Sequence, residues 1–389
     1  MFDMLLRAPF IPSGALAFGT SVIAFLTVYA ATVLLVPKNA ALTRLTSVAA
    51  LFALTYALQQ TFCQWCSNQH WQGFVAACLP VQLMSASEII LVSRVDPAPI
   101  SCGISHASHA IALLWNQRRI GTVWQVKNIP ATTPSTRAQF IRRRLTTTLA
   151  AYLILDAIVS APPPPPALHT VQKQTLFAIH TLTREDLTYR LIATLSYWFS
   201  GFLLLLTVSN TLAILLVLTN LSTPADRPPL FGALPAAHSL RRFWGTLWHQ
   251  CLRRGLTGHA DLVADRLLRA PRGTRASRYA RLFAAFLLSG LVHRACERGM
   301  GVPPADGGAL LFFPLQALGI LAEDAVQAVV GRRVRARVGR AVGYVWVVVF
   351  LAWSSPVWFY PQQRVGTDPE LLLPVRLFGP LVRMVKGFL

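Results

Sequence analysis

The sequence predicts an all-α, polytopic integral membrane protein with about eight transmembrane helices. Hydrophobic residues make up 54% of the 389 residues, charged residues only 13%, and the mean hydropathy is +0.48. Soluble globular chains have about 25% charged residues. Several apolar runs also approach the ~20 residues that a helix needs to cross the hydrocarbon core of a bilayer. Much of this chain is therefore expected to face lipid.

Eight apolar runs are candidates for membrane-spanning helices. The fourth is short, and the fifth is long enough to be tilted or broken. The N-terminal sequence MFDMLLRAPFIPSG has no basic stretch and no small-residue cleavage site, so we expect the first helix to remain as an anchor. The runs lie near residues 14–36, 43–60, 73–92, 145–160, 191–219, 279–297, 308–330 and 341–360.

The strong positive charge is concentrated in the connections between these runs. The chain has 36 Lys and Arg against 15 Asp and Glu, a formal net charge of +21. The positive-inside rule and anionic lipid account for this excess without a nucleic-acid partner. The basic connections all fall on one side, which predicts that both termini are lumenal. A basic cytoplasmic face also suits a polyanionic substrate such as coenzyme A.

We expect a single membrane-embedded domain over residues 1–389. The six cysteines are scattered, several of them inside apolar runs, and do not form a disulfide framework. Cys63 and Cys66, with His70 nearby, resemble half of a zinc site, but a second pair of ligands is missing. The sequence therefore predicts no metal.

A Trp-rich and Arg-rich motif, FWGTLWHQ, lies in the connection from Arg227 to Tyr279. That connection is too long for a simple loop. Apolar residues recur in it at helical spacing, which indicates a half-embedded helix that is interfacial or re-entrant. These residues are Phe243, Trp244, Leu247, Trp248, Cys251 and Leu252.

Two histidines stand out against this apolar background. His293 lies in the oily run from Phe283 to Glu297, and His249 ends the Trp-rich motif. A buried histidine can be purely structural, and one at the interface can simply face lipid headgroups. However, imidazole is the side chain suited to general-base work near neutral pH. His293 could take a proton from a hydroxyl that attacks a thioester, and His249 could orient the acyl carbonyl or donate to its developing oxyanion.

Further candidates for substrate binding flank these histidines. Arg241, Arg242, Arg253 and Arg254 surround His249 and could receive phosphates, although lipid headgroups are an alternative partner for each of them. A second segment, IGTVWQVKNIP, is predicted to form a tight polar turn or a simple connector. Its candidate residues are Trp124, Lys127 and Asn128, with Gly121 and Pro130 shaping the turn.

Together these segments resemble a known family. SLRRFWGTLWHQ, LLSGLVHRACE, LFFPLQALGILAEDAV and IGTVWQVKNIP are similar in order and spacing to the fungal wax-synthase-like proteins, relatives of the membrane-bound O-acyltransferases. The resemblance covers a core of about residues 110–360. Arg294 departs from the pattern, because many relatives have a smaller or acidic residue after the histidine.

The resemblance implies acyl transfer from a coenzyme A thioester to a hydroxyl, with no bound cofactor. It implies that His293 is catalytic, and it matches His249 to the histidine or asparagine that ends the family's earlier motif. Trp244 and Trp248 would line the site. Fungal members of this type are commonly acetyltransferases of secondary metabolism in the endoplasmic reticulum. The expected substrates are therefore acetyl-CoA and a lipophilic terpenoid or meroterpenoid alcohol.

Other functions remain open from the sequence. A long-chain, wax-ester type of acyltransferase would share the same motifs. A transporter would need intramembrane charges along a continuous path and paired broken helices, and a non-catalytic scaffold would keep only the fold. The acids in or near the apolar runs are Glu88, Asp156, Glu323 and Asp324. We expect Glu323 and Asp324 to cap or pair with the active-site helices or with Arg294, because a lone carboxylate is costly there.

Overall fold

The computed structural model describes residues 13–95, 104–330 and 336–379, and every regular element within these ranges is helical. Residues 1–12 lie outside them, whereas the first helix, which the sequence predicts to remain as an anchor, lies within them. Cys102 and most of the basic stretch from residue 332 onward also lie outside them. The α-helices are α1 (Ser13–Leu35), α2 (Ala41–Trp65), α3 (Gln69–Ser87), α4 (Ile104–Trp115), α5 (Arg137–Val159), α6 (Arg184–Leu218), α7 (Leu240–Arg242), α8 (Arg253–Leu262), α9 (Arg275–Gly299), α10 (Ala309–Val330), α11 (Ala336–Ser354) and α12 (Pro356–Arg364).

Polar side chains fix where the long helices begin. Thr183 starts α6 and Thr136 starts α5, each in a reciprocal capping box with the residue three positions later. Asn68 accepts backbone N–H groups at the start of α3, and Thr274 accepts the Ser277 N–H at the start of α9. These caps satisfy N–H groups that have no partner within their own helix.

The membrane prediction is confirmed in its coarse form. Five helices are long and apolar enough to cross a membrane, and a bent pair makes a sixth candidate. They match six of the eight predicted spans, and the count of eight stays a prediction. The two remaining runs lie in α5 and α9. Both of these helices carry several arginines within their length, which lowers their hydropathy below that of the others.

Two of the predicted spans have a shape that the sequence left open. Helix α6 runs unbroken for 35 residues, roughly 50 Å at 1.5 Å per residue, which exceeds the thickness of the hydrocarbon core. The last predicted span is instead broken: α11 and α12 meet at Ser355 with a bend of 43°. Pro356 explains the break, because proline at a first helical position cannot continue the preceding hydrogen-bond ladder.

The chain divides into two compact units, and the prediction of a single domain stays a prediction. The first unit comprises Met1–Gln117 and Arg254–Gly301. In it α1 packs along α2, and α3 packs along both α2 and α9. A Cβ on Gly299 would lie 2.7 Å from the Gln72 carbonyl oxygen, so the close approach of α3 and α9 requires glycine there.

A buried arginine connects three segments of the first unit. Arg44 is 2% exposed. Its guanidinium donates to the carbonyl oxygens of Val36, Pro37, Ile90 and Val95 at distances from 2.7 to 3.1 Å. These carbonyls lie at or just beyond the ends of α1 and of the helix that contains Ile90, where no N–H of the same helix can reach them.

The second unit comprises Arg118–Arg253 and Val302–Leu389. In it α5 packs along α6, and α12 packs against α10. Asp156, one of the acids in or near the apolar runs, is fully buried and accepts from the Arg376 side chain at 2.5 Å. It also accepts the backbone N–H groups of Leu377 and Phe378, both at 2.8 Å. This carboxylate therefore ties the segment after α12 to α5.

We predict that Arg44→Met lowers the free energy of unfolding by roughly 3 kcal/mol, because buried carbonyl oxygens lose their donors. The midpoint of thermal unfolding of the detergent-solubilised protein measures the effect. Lys38→Met removes one positive charge from an exposed position nearby and serves as the control. Equal midpoints for the two variants would contradict a structural role of the arginine.

Candidate active site

The Trp-rich motif forms a short helix that ends before its histidine. Helix α7 continues as a π-helical turn over Phe243–Leu247, and Trp248 is already extended, with φ −66° and ψ 152°. The helical spacing predicted through Leu252 is therefore wrong beyond Leu247. His249 lies in the loop that follows and does not lie on a helical face.

Gln250 explains why the helix stops there. The Trp248 N–H donates to the Phe243 carbonyl at 2.8 Å, which closes the wide π turn. The Gln250 side-chain amide then donates to the carbonyl oxygens of Trp244 and Trp248, at 2.9 and 2.6 Å. Gln250 is 4% exposed. The glutamine thus satisfies carbonyls at the end of the helix, in place of the next helical turn.

The start of the motif helix is capped by a carboxylate from α10. Glu323 accepts the backbone N–H groups of Leu240 and Arg241 at 2.5 and 3.2 Å. It also accepts the Trp346 indole N–H at 2.9 Å. Its neighbour Asp324 pairs with the Arg241 guanidinium at 2.7 Å. The expectation that Glu323 and Asp324 cap or pair with this region is confirmed.

The predicted turn IGTVWQVKNIP contacts the motif directly. The Asn128 side chain donates to the Gly245 carbonyl at 2.8 Å, and Arg253 donates to the same oxygen at 3.0 Å. Asn128 has a left-handed φ of 63°, a conformation that asparagine tolerates better than most residues. Trp124 is half-buried, while the Lys127 side chain is exposed. Of the three candidates in this turn, Asn128 is the one that holds the motif.

Aromatic rings fill the space around the motif. The Trp198 ring of α6 lies 5.6 Å from the ring of Trp244 and 4.9 Å from that of Trp248. The rings of Phe312 and Trp358 stack with their centroids 5.0 Å apart, and both lie beside the Trp198 ring. The Trp244 indole N–H donates to the buried Gln316 at 3.3 Å. Trp244 and Trp248 therefore belong to one aromatic cluster, and the His249 ring lies at its edge, 5.6 Å from that of Trp248.

His293 lies on α9, where its ring has a defined tautomer. Its Nδ1 is 2.8 Å from the Ser289 carbonyl oxygen. A carbonyl only accepts, so the Nδ1 atom carries the proton, and Nε2 of the neutral ring carries the lone pair. Arg294 pairs with the fully buried Glu297 at 3.1 Å, one turn further along the helix. An acidic partner of Arg294 thus lies on its own helix, whereas the sequence suggests Glu323 or Asp324 as its partner.

The two histidines belong to different compact units. His293 is part of the first unit and His249 of the second. From their roles on one thioester we expect the two rings to meet in one chamber, and this expectation stays a prediction. Within the described residues, no three His, Cys, Asp or Glu side chains are grouped as ligands of a metal ion.

The arginines around His249 have mainly structural partners. Arg241 pairs with Asp324, and Arg253 donates to the Gly245 carbonyl and to Gln250. Arg254 donates to the fully buried Glu88 at 2.8 Å, and Ser93 bridges the two residues. Arg242, by contrast, is exposed. A phosphate-binding role for Arg241, Arg253 or Arg254 would compete with contacts that already hold the helices together.

Comparisons with known proteins decide the family. Residues 227–315, which include His249 and His293, match the model of the Membrane bound O-acyl transferase family. Acetyltransferase aurG of Calcarisporium arbuscula is 33% identical over 303 residues, covering 75% of this chain and 73% of the relative. The chain belongs to the membrane-bound O-acyltransferase family. It is therefore an acyltransferase and an integral membrane protein.

Two further relatives agree with this assignment. Acetyltransferase pyr8 of Aspergillus fumigatus is 29% identical over 392 residues, which cover 92% of this acyltransferase and 90% of the relative. Acetyltransferase atnC of an Arthrinium species is 31% identical over 285 residues, covering 69% and 66% of the two chains. The likeness therefore extends well beyond the segment that matches the family model.

Sequence reasoning missed several residues that position the acyltransferase motif. Trp198 and Trp358 lie far from the motif in sequence, and only the fold brings the Trp198 ring to Trp248 of the motif and the Trp358 ring to Trp198. Gln316 lies in the segment LFFPLQALGILAEDAV and is fully buried. The sequence signal that could have identified it is an amide side chain among the apolar residues that precede Glu323. Gln250 was recognised as part of the motif but not as the residue that ends its helix.

We predict that Glu323→Ala reduces acyl transfer about tenfold or more, because the motif helix loses the acceptor for two backbone N–H groups. Glu323→Gln keeps one carbonyl oxygen and should retain more activity. The rate of ester formation in isolated membranes, normalised to inserted protein, measures both. Asp324→Asn is the control, since its ion pair with Arg241 is partly exposed and contributes little. A wild-type rate for Glu323→Ala would disprove the positioning role.

Proposed function

We propose that this acyltransferase transfers an acetyl group from acetyl-CoA to a hydroxyl of a lipophilic secondary metabolite, a terpenoid or meroterpenoid alcohol, in the endoplasmic reticulum. The similarity to three fungal acetyltransferases over two thirds or more of the chain supports acetyl as the group transferred. An apolar body with five or six candidate spans suits an acceptor that arrives from the bilayer. Of the alternative functions, that of a transporter is disfavoured, because the chain belongs to an acyltransferase family.

The observation that carries the mechanism is the bond between His293 Nδ1 and the Ser289 carbonyl. This bond places the lone pair of the neutral ring on Nε2, as a general base requires. Ser289 and Gly290, both buried and both small, precede the histidine by about one turn. We therefore assign Nε2 of His293 as the atom that accepts the proton of the alcohol.

The reaction then needs no covalent acyl-enzyme. The alcohol oxygen attacks the thioester carbonyl carbon as its proton moves to Nε2 of His293. The resulting tetrahedral oxyanion collapses, the carbon–sulfur bond breaks, and the thiolate of coenzyme A takes the proton from the imidazolium. The products are the acetate ester and free coenzyme A. In this scheme His249 donates to the oxyanion, and preorganised donors of this kind act strongly where water is excluded.

We predict that His293→Ala lowers kcat by roughly 10²- to 10⁴-fold, the range for loss of a positioned general base. The KM for acetyl-CoA should change little, because the histidine acts on the hydroxyl. Esterification of the physiological alcohol, found as the metabolite that loses its acetyl group when the gene is deleted, is the assay. His70→Ala, in the same compact unit but at the start of α3, is the control. A folded, inserted His293→Ala protein with the wild-type kcat would refute the assignment.

We predict that His249→Ala and His293→Ala are not additive. If both rings act on one transition state, the double variant should lose about as much rate as His293→Ala alone, as for groups that work as a unit. The kcat values of the four proteins form the cycle. Losses that multiply would instead mean that the two histidines act independently, and would remove His249 from the proposed site.

A further inference from the structure

The last predicted span breaks at two adjacent serines that are fully buried. Helix α11 ends at Ser354, and Ser355 precedes the proline that opens α12. Both lie in the bent pair of helices that is apolar enough to form a membrane span. A buried hydroxyl is costly unless it is hydrogen-bonded. The mechanism above gives neither serine a role, so the partners of the two hydroxyl groups indicate what they do.

Ser354 connects the break to the Trp-rich motif through Gln316 of α10. The Trp244 indole N–H donates to the Gln316 side-chain oxygen at 3.3 Å, and the Gln316 amide donates to the Ser354 hydroxyl oxygen at 3.2 Å. The Ser354 O–H then donates to the carbonyl oxygen of Phe350, one turn earlier on α11, at 2.7 Å. An indole N–H can only donate, so it fixes the direction of each bond in this chain.

Ser355 connects the break to the same motif by a second route. The Trp198 indole N–H of α6 donates to the Ser355 hydroxyl oxygen at 3.0 Å. The Trp198 ring meets the Trp248 ring edge to face, with centroids 4.9 Å apart and 82° between the planes. Ser355 keeps helical backbone angles, φ −66° and ψ −33°. Consecutive side chains on a helix point about 100° apart, so the two serines reach two different helices.

The position of the break follows from the same residues. Pro356 has no N–H and cannot continue the hydrogen-bond ladder of α11. A serine hydroxyl that bonds the carbonyl four residues earlier, as Ser354 does with Phe350, also tends to bend a helix. The 43° bend therefore coincides with the two hydroxyl groups that contact the routes to the motif.

We propose that Ser354 and Ser355 are positioning residues for acyl transfer. Through the two indole routes they hold Trp244 and Trp248, and so present His249 to the reacting carbonyl of the thioester. The proposal rests on the proposed function in placing His249 there. Neither serine has to touch a substrate, since each acts through an indole. Donors are effective when they are oriented before charge develops, and a small displacement loses much of the rate.

The variants Ser354→Ala and Ser355→Ala test the proposal. We expect each to lower kcat about 10-fold, because the displaced motif orients the carbonyl less well, while the KM for acetyl-CoA stays at the wild-type value. Near-ultraviolet circular dichroism, which needs no substrate, should show altered tryptophan bands for both variants.

Thr194→Val is the matched control for both variants. Thr194 lies one turn before Trp198 on α6 and is 2% exposed, and within the described residues its hydroxyl has no hydrogen-bond partner. Valine has nearly the same shape as threonine. The control therefore removes a buried hydroxyl without removing a route to the motif, and it should leave kcat, KM and the spectrum at wild-type values.

A double-mutant cycle separates positioning from a general loss of stability. Trp198→Phe removes the N–H that Ser355 accepts. Ser355→Ala should therefore cost little further rate in the Trp198→Phe background. A merely structural role of Ser355 would lower the rate by the same factor in both backgrounds, and that result would overturn the proposal.

A wild-type kcat for the folded, inserted serine variants would also overturn the proposal, as would a KM that rises while kcat falls. The proposed function fails separately, if His249→Ala and His293→Ala both keep the wild-type rate. The cycle of Ser355 with Trp198 contains no histidine variant and still decides whether the serine positions the motif. If no acetyl group reaches the alcohol tested, altered tryptophan bands support the two routes, and spectra identical to the wild type refute them.

Discussion

The structure depends on arginines that donate to backbone carbonyl oxygens. The last carbonyls of every helix lack a partner within the helix, and near the hydrocarbon core water is scarce. With 36 basic and only 15 acidic residues, the chain cannot pair every cation with a carboxylate of its own. Arg44 instead binds four carbonyls, and Arg118 binds those of Pro228 and Pro229 at 2.9 and 2.7 Å. Arg190 does the same with Lys173 and Thr175 at 2.9 and 2.8 Å.

This constraint changes how the net charge of +21 is understood. From the sequence alone, this charge is explained by membrane topology, anionic lipid and a polyanionic substrate. Each of these explanations places the arginines on a solvated surface. Arg44, Arg119 and Arg190 are each at most 3% exposed. Part of the charge is therefore internal, where a guanidinium satisfies several acceptors at once. Counting charges between the apolar runs predicts on which side of the membrane each connection lies. It does not predict which arginines are buried and bonded to carbonyl oxygens.

The sequence predicted the helices well and the helix ends poorly, for a physical reason. Length and hydropathy place α3, α6 and α10, because lipid demands an apolar surface over a fixed distance. The end at Leu247 depends on Gln250, and the pairing of Asp156 with Arg376 spans 220 residues. Neither leaves a periodic signal. The capping role of Glu323 was predictable since a carboxylate in an oily helix has few alternatives, whereas an arginine can use any nearby carbonyl.

The same reasoning sorts the candidate site residues. The sequence predicts Asn128, Trp244 and Trp248 as substrate contacts. Each has a defined partner that holds the motif: the Gly245 carbonyl, Gln316 and the Trp198 ring, respectively. Groups fixed in this way can still line a site, since catalysis favours donors that are already oriented when charge develops. Arg241 and Arg254 differ, because each would have to leave a carboxylate, Asp324 or the buried Glu88, to meet a phosphate. Removing a partner from a buried carboxylate is strongly unfavourable, so phosphate binding by Arg254 would weaken the contact that holds Glu88 inside the first unit.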